Sequence, residues 1–127
     1  MFGESIFEKL IGEFALMLWC QRTKSLFFAR SACGVRTLYY VLGRETLIWS
    51  SDFAHLGRVS GVDLALNEAY ILQYLVSQPD AKDTPLSKVN AVPPNHLVRF
   101  ENGQLKEPRQ LWDPMRIAPL RYRTDQE

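Results

Sequence analysis

Four side chains in this sequence have the chemistry for catalysis or metal binding: Cys20, Cys33, His55 and His96. A thiol beside an imidazole makes a nucleophile for acyl transfer, and the same residue types hold zinc. Their spacing argues against both uses. They lie too far apart along the chain for any short zinc pattern. Cys20 closes an apolar run, where a free thiol ordinarily packs as a small hydrophobe. His96 follows Pro93-Pro94-Asn95 and is expected to sit exposed in a turn. The chain also lacks a Gly-x-x-x-x-Gly-Lys-Ser/Thr phosphate loop, a Gly-x-Gly-x-x-Gly turn, a Gly-x-Ser-x-Gly elbow and a Ser-x-x-Lys pair. No catalytic, substrate-binding or metal-ligating residue is assigned from these patterns. The aromatics Trp19, Phe27, Phe28, Tyr39, Tyr40, Trp49 and Phe53 offer π-faces for stacking bases. Within the strands only Arg30 sits beside them, and their place in strands assigns them to a core.

Charge and composition narrow the classes further. Fifteen Lys+Arg against 14 Asp+Glu leave +1 over 127 residues, so net charge gives no support for a nucleic-acid groove. Hydrophobic residues at 46% and charged residues at 23% fit one globular domain. No apolar run approaches the ~20 residues of a membrane span, and Met1-Phe2-Gly3-Glu4 lacks the basic start of a secretory signal. Two cysteines are too few for a disulfide scaffold and read as free thiols of a cytoplasmic protein.

These residues must be positioned by a chain that divides at about residue 78. All seven prolines lie from Pro79 onward, and six of the seven glycines lie before it. Ser5 to Leu10 is a short amphipathic piece. Ile11 to Trp19 predicts a strand with Phe14, Leu16 and Leu18 on one face and Ala15, Met17 and Trp19 on the other. Both faces are apolar, so the strand is expected to be covered on both sides. Cys20 to Lys24 is a polar turn, and Leu26 to Ala29 a second strand. Leu38 to Leu42 and Thr46 to Ser50 form a hairpin about Gly43-Arg44-Glu45. Asn67 to Ser77 predicts a helix capped by Asn67 and stopped by Pro79. Asp80 to Lys88 is a loop. Lys88 to Val92 and Leu97 to Glu101 are short strands, and Asn102-Gly103 turns the chain into Gln104-Leu105. Beyond Arg109 periodicity is lost. Arg109, Arg116, Arg121 and Arg123 lend a linker-like stretch positive charge, and Thr124 to Glu127 has the pattern of a helix start.

Five segments in order resemble one family: Gly12-Glu13-Phe14-Ala15-Leu16-Met17-Leu18-Trp19, Leu26-Phe27-Phe28-Ala29-Arg30-Ser31, Gly34-Val35-Arg36-Thr37-Leu38-Tyr39-Tyr40, Ile48-Trp49-Ser50-Ser51-Asp52 and Val92-Pro93-Pro94-Asn95-His96-Leu97-Val98-Arg99-Phe100. Their order and spacing resemble the second half of the glutaminase domain of glutamine-hydrolysing asparagine synthases. Leu111-Trp112-Asp113-Pro114 is similar to the point where that family leaves the domain. The resemblance implies an α+β fold with few helices, part of the N-terminal-nucleophile hydrolase αββα sandwich with antiparallel sheets. It places the partial glutaminase domain at residues 1–113 and a linker toward an absent synthetase domain at 114–127.

In the family, an N-terminal Cys attacks the side-chain amide of glutamine and releases ammonia. A tunnel carries the ammonia to a synthetase domain, where ATP, with Mg, activates aspartate. The resemblance makes that domain the partner of this chain, with glutamine and aspartate as the parent enzyme's substrates. It puts Glu13, Val35 and Arg36 at the tunnel mouth or domain interface. Position 2 is Phe, so the nucleophile is missing here, and the glutamine-clamping segments would precede the matched region. The chain alone is therefore expected to be inactive scaffold, holding no cofactor of its own. Three departures stand out: Ser31 where the family usually has Asp, Thr37 where it has Pro, and Ser51-Asp52 where it has Ser-Glu. Loss of the carboxylate at Ser31 is expected to weaken an ion pair with Arg30 or Arg36. Two alternatives follow. One is a piece of a related amide- or ring-forming synthetase, of the β-lactam or lasso-peptide type, with a vestigial glutaminase domain. The other is a non-enzymatic sheet module. Missing partner strands are expected to make the isolated chain aggregate.

Overall fold

The computed structural model describes residues 4–44, 46–59 and 65–117. Among these residues, eight strands form two antiparallel sheets. In the first, β1 (Ala15–Cys20) pairs with β2 (Ser25–Arg30), and β2 pairs with β6 (His96–Glu101). The far side of β6 is shared by β7 (Gln104–Leu105) and β8 (Arg109–Gln110). In the second, β3 (Tyr39–Leu42) lies between β4 (Leu47–Ser50) and β5 (Asn90–Ala91). Helix α1 (Phe53–Leu56), helix α2 (Glu68–Leu75) and two 3₁₀ turns (Glu4–Lys9 and Pro114–Arg116) complete the α+β fold.

Strand alternation builds the layers. Register sets Phe28 against Val98, so both face the second sheet, where they meet Leu38, Tyr40 and Val92. Phe28 and Tyr40 stack at 5.8 Å. Phe27, Ala29 and Leu97 face the other way and are covered by Phe7 from the first 3₁₀ turn. Val41 faces outward from the second sheet onto Leu56 of α1 and Val89. The order is therefore 3₁₀ turn, five-stranded sheet, three-stranded sheet, α1. The two-sided apolarity of β2 reflects this burial, as five of its six residues are buried.

Local chemistry sets several boundaries where the spacing predicts them. Asn67 caps α2 by accepting from the Tyr70 N–H (3.1 Å). The helix ends before Pro79, with Ser77 left-handed (φ 59°), Ser77 N–H donating to Tyr74 O and Gln78 N–H donating to Gln73 O. Asn102 and Gly103 both take positive φ (52° and 76°), as a two-residue hairpin between right-twisted strands requires. At the β3–β4 turn, Gly43 N–H donates to Thr46 O (2.8 Å), and Glu45 lies outside the described residues.

Other expectations are corrected. β1 starts at Ala15, not Ile11: Gly12 turns the backbone at φ 102° and leaves Ile11 fully exposed. β1 is a sheet edge, and Met17, Leu18 and Trp19 run past the layers that cover β2, so its outer half is not covered on both sides. Trp19 and Trp49 are 57% and 41% exposed and are not core residues; Phe27, Phe28 and Tyr40 are buried, and Tyr39 and Phe53 half-buried. His96 is the half-buried first residue of β6, not an exposed turn residue, with Nδ1 2.7 Å from Pro94 O. Arg109–Gln110, where periodicity fails, still pairs as β8 because β6 offers it an open edge. Helix α1 has no counterpart in the sequence reading. It forms because Asp52 Oδ1 accepts from Ala54 N–H (2.8 Å) and Leu56 finds an apolar seat. The expected helix start at Thr124, with Arg121 and Arg123, falls outside the described residues. No described helix is long and apolar enough to cross a membrane.

Candidate functional site

The segment between β2 and β3 is shaped by Arg30, the last residue of β2. Its side chain lies between the sheets and is 6% exposed. Nε donates to Arg36 O (2.8 Å), Nη1 to Val92 O (2.5 Å) and Nη2 to Gly34 O (2.6 Å). One planar fork thus fixes three carbonyls that point in different directions. Gly34 completes the turn at φ 64°, where a Cβ would meet Pro94 at 2.7 Å. Burial pulls the Arg30 guanidinium below its ordinary value. The proximity of three carbonyl dipoles keeps the charge tolerable at that depth.

This loop delivers Val35 and Arg36 next to Glu13, which approaches from the start of β1. The Glu13 carboxylate accepts from the Ser31 hydroxyl (2.6 Å) and from the Val35 N–H (3.3 Å). Glu13, Val35 and Arg36 together line a cavity of about 540 Å³, with Phe14, Ala15, Thr37 and Ser51 completing its wall. The three residues picked out by resemblance, 22 positions apart from Glu13 to Val35, are thus brought to one place. No carboxylate stands at position 31 to pair with Arg30, and backbone carbonyls take that place. Ser31 supplies the Glu13 carboxylate with a hydrogen bond. The only sequence signal for this latch was an Arg closing an otherwise apolar strand just ahead of a glycine.

The hydrogen bond from Ser31 holds the Glu13 carboxyl below its ordinary range, helped by Cys33, Val35 and the Arg36 charge and opposed by burial. Cys33 donates a hydrogen bond of its own to the Glu13 carboxylate, which pushes its thiol up. A depressed carboxyl contributes at and above its unfolded value and is lost as pH falls through the folded value. Acidification below the usual carboxylate range of about 4 is therefore expected to loosen the Ser31–Val35 loop first. Hydrogen exchange at the Val35 amide, followed against pH, should accelerate there, and Glu13→Gln should remove that pH dependence.

A second cavity of about 260 Å³ shares Glu13 and is bordered by Ser31, Cys33, Asn95 and Trp112. Asn95 stitches its wall. Its backbone N–H donates to Ser31 O (3.0 Å) and its backbone carbonyl accepts from Leu111 N–H (2.8 Å). Its side chain donates to Trp112 O (2.6 Å) and accepts from Trp112 N–H (3.0 Å). Immediately after, Asp113 caps the 3₁₀ turn by accepting from Met115 N–H (3.0 Å).

The four residues of classical nucleophile and metal chemistry are not brought together. Cys20 packs half-buried beside the Phe27 cluster, and a hydrogen bond with the Thr23 side chain lowers its thiol. His55 faces Asp52 at 3.6 Å and His96 faces Pro94 O. Among the described residues no group of three His, Cys, Asp or Glu side chains is arranged to hold a metal ion.

The amidase chry2 of Gibberella zeae is 26% identical over 114 residues, which cover 88% of this chain. The chain spans only about 16% of the length of that curated relative. A family model described as a glutamine amidotransferase domain matches residues 1–112, and the chain belongs to that family.

Proposed function

We propose that this chain is the scaffold and interface part of a glutaminase domain, of the N-terminal-nucleophile hydrolase type, in an asparagine-synthase-like amidotransferase. The observation that carries the reading is the meeting of Glu13, Val35 and Arg36 on one cavity at the end of the sandwich. The Arg30 latch and the Ser31–Glu13 bond preshape that cavity. In the parent reaction, glutamine is hydrolysed, ammonia passes along this wall, and an ATP-dependent synthetase domain joins it to aspartate. ATP and Mg belong to that other domain, and no residue here is assigned to them. The chain's part is to hold the channel wall and to direct residues 111–113 toward the partner domain through Asn95. The reading places the protein in the cytoplasm.

A second reading is a related amide- or ring-forming synthetase whose glutaminase half no longer hydrolyses glutamine. It is supported by the contacts of the two imidazoles, His55 with Asp52 and His96 with Pro94 O, neither of which involves a thiol. The amidase name of the 26% identical relative fits carbon–nitrogen chemistry in either case. Purified chain is expected to release no glutamate from glutamine above the blank. Sustained release would refute the assignment of this chain as scaffold. Given that result, ammonia-dependent amide formation by a protein containing this domain separates the two readings by acceptor: aspartate supports the first, another carboxylate the second.

A further inference from the structure

Asn95 stands in the left-handed region (φ 62°), just before β6. Glycine fits such a position most freely, and asparagine is among the few side chains that tolerate it. Here the side chain is also used. Its amide accepts from the Trp112 N–H (3.0 Å) and donates to the Trp112 carbonyl (2.6 Å). Both bonds go to one residue, as in a rung between antiparallel strands. The β6–β8 ladder ends at His96 and Gln110. Beyond it the Asn95 backbone carbonyl accepts from Leu111 N–H (2.8 Å), and the side chain carries the pairing on to Trp112. On its other side Asn95 N–H donates to Ser31 O (3.0 Å), which also accepts from Gly34 N–H (3.1 Å). The Ser31 hydroxyl holds the Glu13 carboxylate, and that carboxylate holds the Val35 N–H. An unbroken run of bonds thus joins Trp112 to Val35 through Asn95, Ser31 and Glu13. Its middle is internal, with Ser31 buried and Asn95 half-buried. The two cavities that share Glu13 lie at its ends: Asn95 and Trp112 border one, Val35 and Arg36 the other.

We propose that Asn95 is a positioning residue that couples the placement of residues 111–113 to the wall formed by Glu13, Val35 and Arg36. The inference rests on the scaffold-and-interface reading and adds a means of regulation to it. In the clamped arrangement Trp112 is held at both backbone groups, and Ser31 O keeps two donors. In the released arrangement the Trp112 amide is free to exchange, Ser31 is held less firmly, and the grip of its hydroxyl on Glu13 weakens. Whatever draws residues 111–113 aside, the partner domain in that reading, therefore loosens the cavity wall. The coupling is equal in the other direction, so weakening the Ser31–Glu13 bond loosens Trp112. Arg30 holds Gly34 O and Arg36 O by itself. The loop thus stays folded in both arrangements, and the change falls on the Glu13 contacts. The rival is separate anchoring, in which the packing of Leu111 on the Phe27 cluster fixes residues 111–113 and Arg30 fixes the wall, with nothing passed between them.

Asn95→Gly separates the two, because it keeps the left-handed backbone and its N–H and removes only the amide. Hydrogen exchange on the whole chain is expected to quicken more than about tenfold at Trp112 and about fivefold at Val35. The Tyr70 amide, bonded to Asn67 at the start of α2, should be unchanged. The Glu13 carboxyl, faced by Ser31, Cys33 and Arg36, should titrate closer to its ordinary value when followed by NMR. Loss of a purely local anchor at Trp112 would not move that titration. A variant that frees Trp112 and leaves Val35 and Glu13 as they were overturns the proposal, and so does equal quickening at Tyr70. If Asn95→Gly loses its cooperative melt, Ser31→Ala decides from the other end. Faster exchange at Trp112 then supports the coupling, and unchanged exchange overturns it. None of these measurements reads glutamate release, so the coupling can fail while the scaffold reading stands, and the scaffold reading can fail while the coupling stands.

Discussion

Replacing Arg30 by Met is expected to destabilise the domain by about 3 kcal/mol or more, read as a lower urea midpoint in dilute solution. Methionine fills much of the same space but donates nothing. Val92 O then loses its partner in the buried part of the sandwich, and Gly34 O and Arg36 O lose theirs at its rim. Each buried carbonyl left without a donor costs roughly 1–3 kcal/mol, and the two rim carbonyls recover part of that from water. For a domain of this size the melting temperature should fall on the order of 15 °C. Arg30→Lys should rescue little. A single ammonium group cannot span three acceptors arranged about a planar fork. The loop holding Val35 and Arg36 should exchange amide hydrogens faster in both variants. A stability change below about 1 kcal/mol for Arg30→Met would show that the latch does not hold the loop.

Phe28→Ala is the second large effect, with an expected loss of about 3–5 kcal/mol. Phe28 is fully buried between the sheets, stacked on Tyr40 and touching Leu38, Val92 and Val98. Both sheets converge on it, so the surrounding backbone has little freedom to collapse into the space left. The contrast is Trp19→Ala on the neighbouring strand. Trp19 is larger but 57% exposed, and its removal should cost well under 1 kcal/mol in dilute solution. The same pair of variants, compared by urea denaturation, separates residues that build the core from residues that line its open side. A cost at Trp19 equal to that at Phe28 would contradict the open-edge geometry.

The elements legible in the sequence are those whose causes are local. Asn102-Gly103 admits the positive φ values that a tight hairpin needs, and Asn67 carries an oxygen that reaches the first turn of α2. A run apolar on both faces, such as Leu26 to Ala29, needs two covering layers. The reading failed where the cause lay elsewhere in space. From composition Met17, Leu18 and Trp19 are as apolar as the residues of β2, yet β1 lies at an edge and β2 in the middle, and hydropathy does not record a strand's position in its sheet. Helix α1 is too short for periodicity and depends on an apolar seat formed by β3 and Val89. β8 exists because β6 had room beside it.

The candidate site divides along the same line. Residue types and their order marked Glu13, Val35 and Arg36 by resemblance to a family, and the fold brings these three to one cavity. The contacts that hold these residues were not readable. A serine in place of the family's usual carboxylate suggested a lost ion pair, whereas the fold lets the Ser31 hydroxyl donate to Glu13 and leaves Arg30 to three backbone carbonyls. Local preferences act over a few residues and are written in neighbouring side chains. Partnerships between Glu13 and Ser31, or Arg30 and Val92, depend on which strands become neighbours, and the packing of the two sheets settles that.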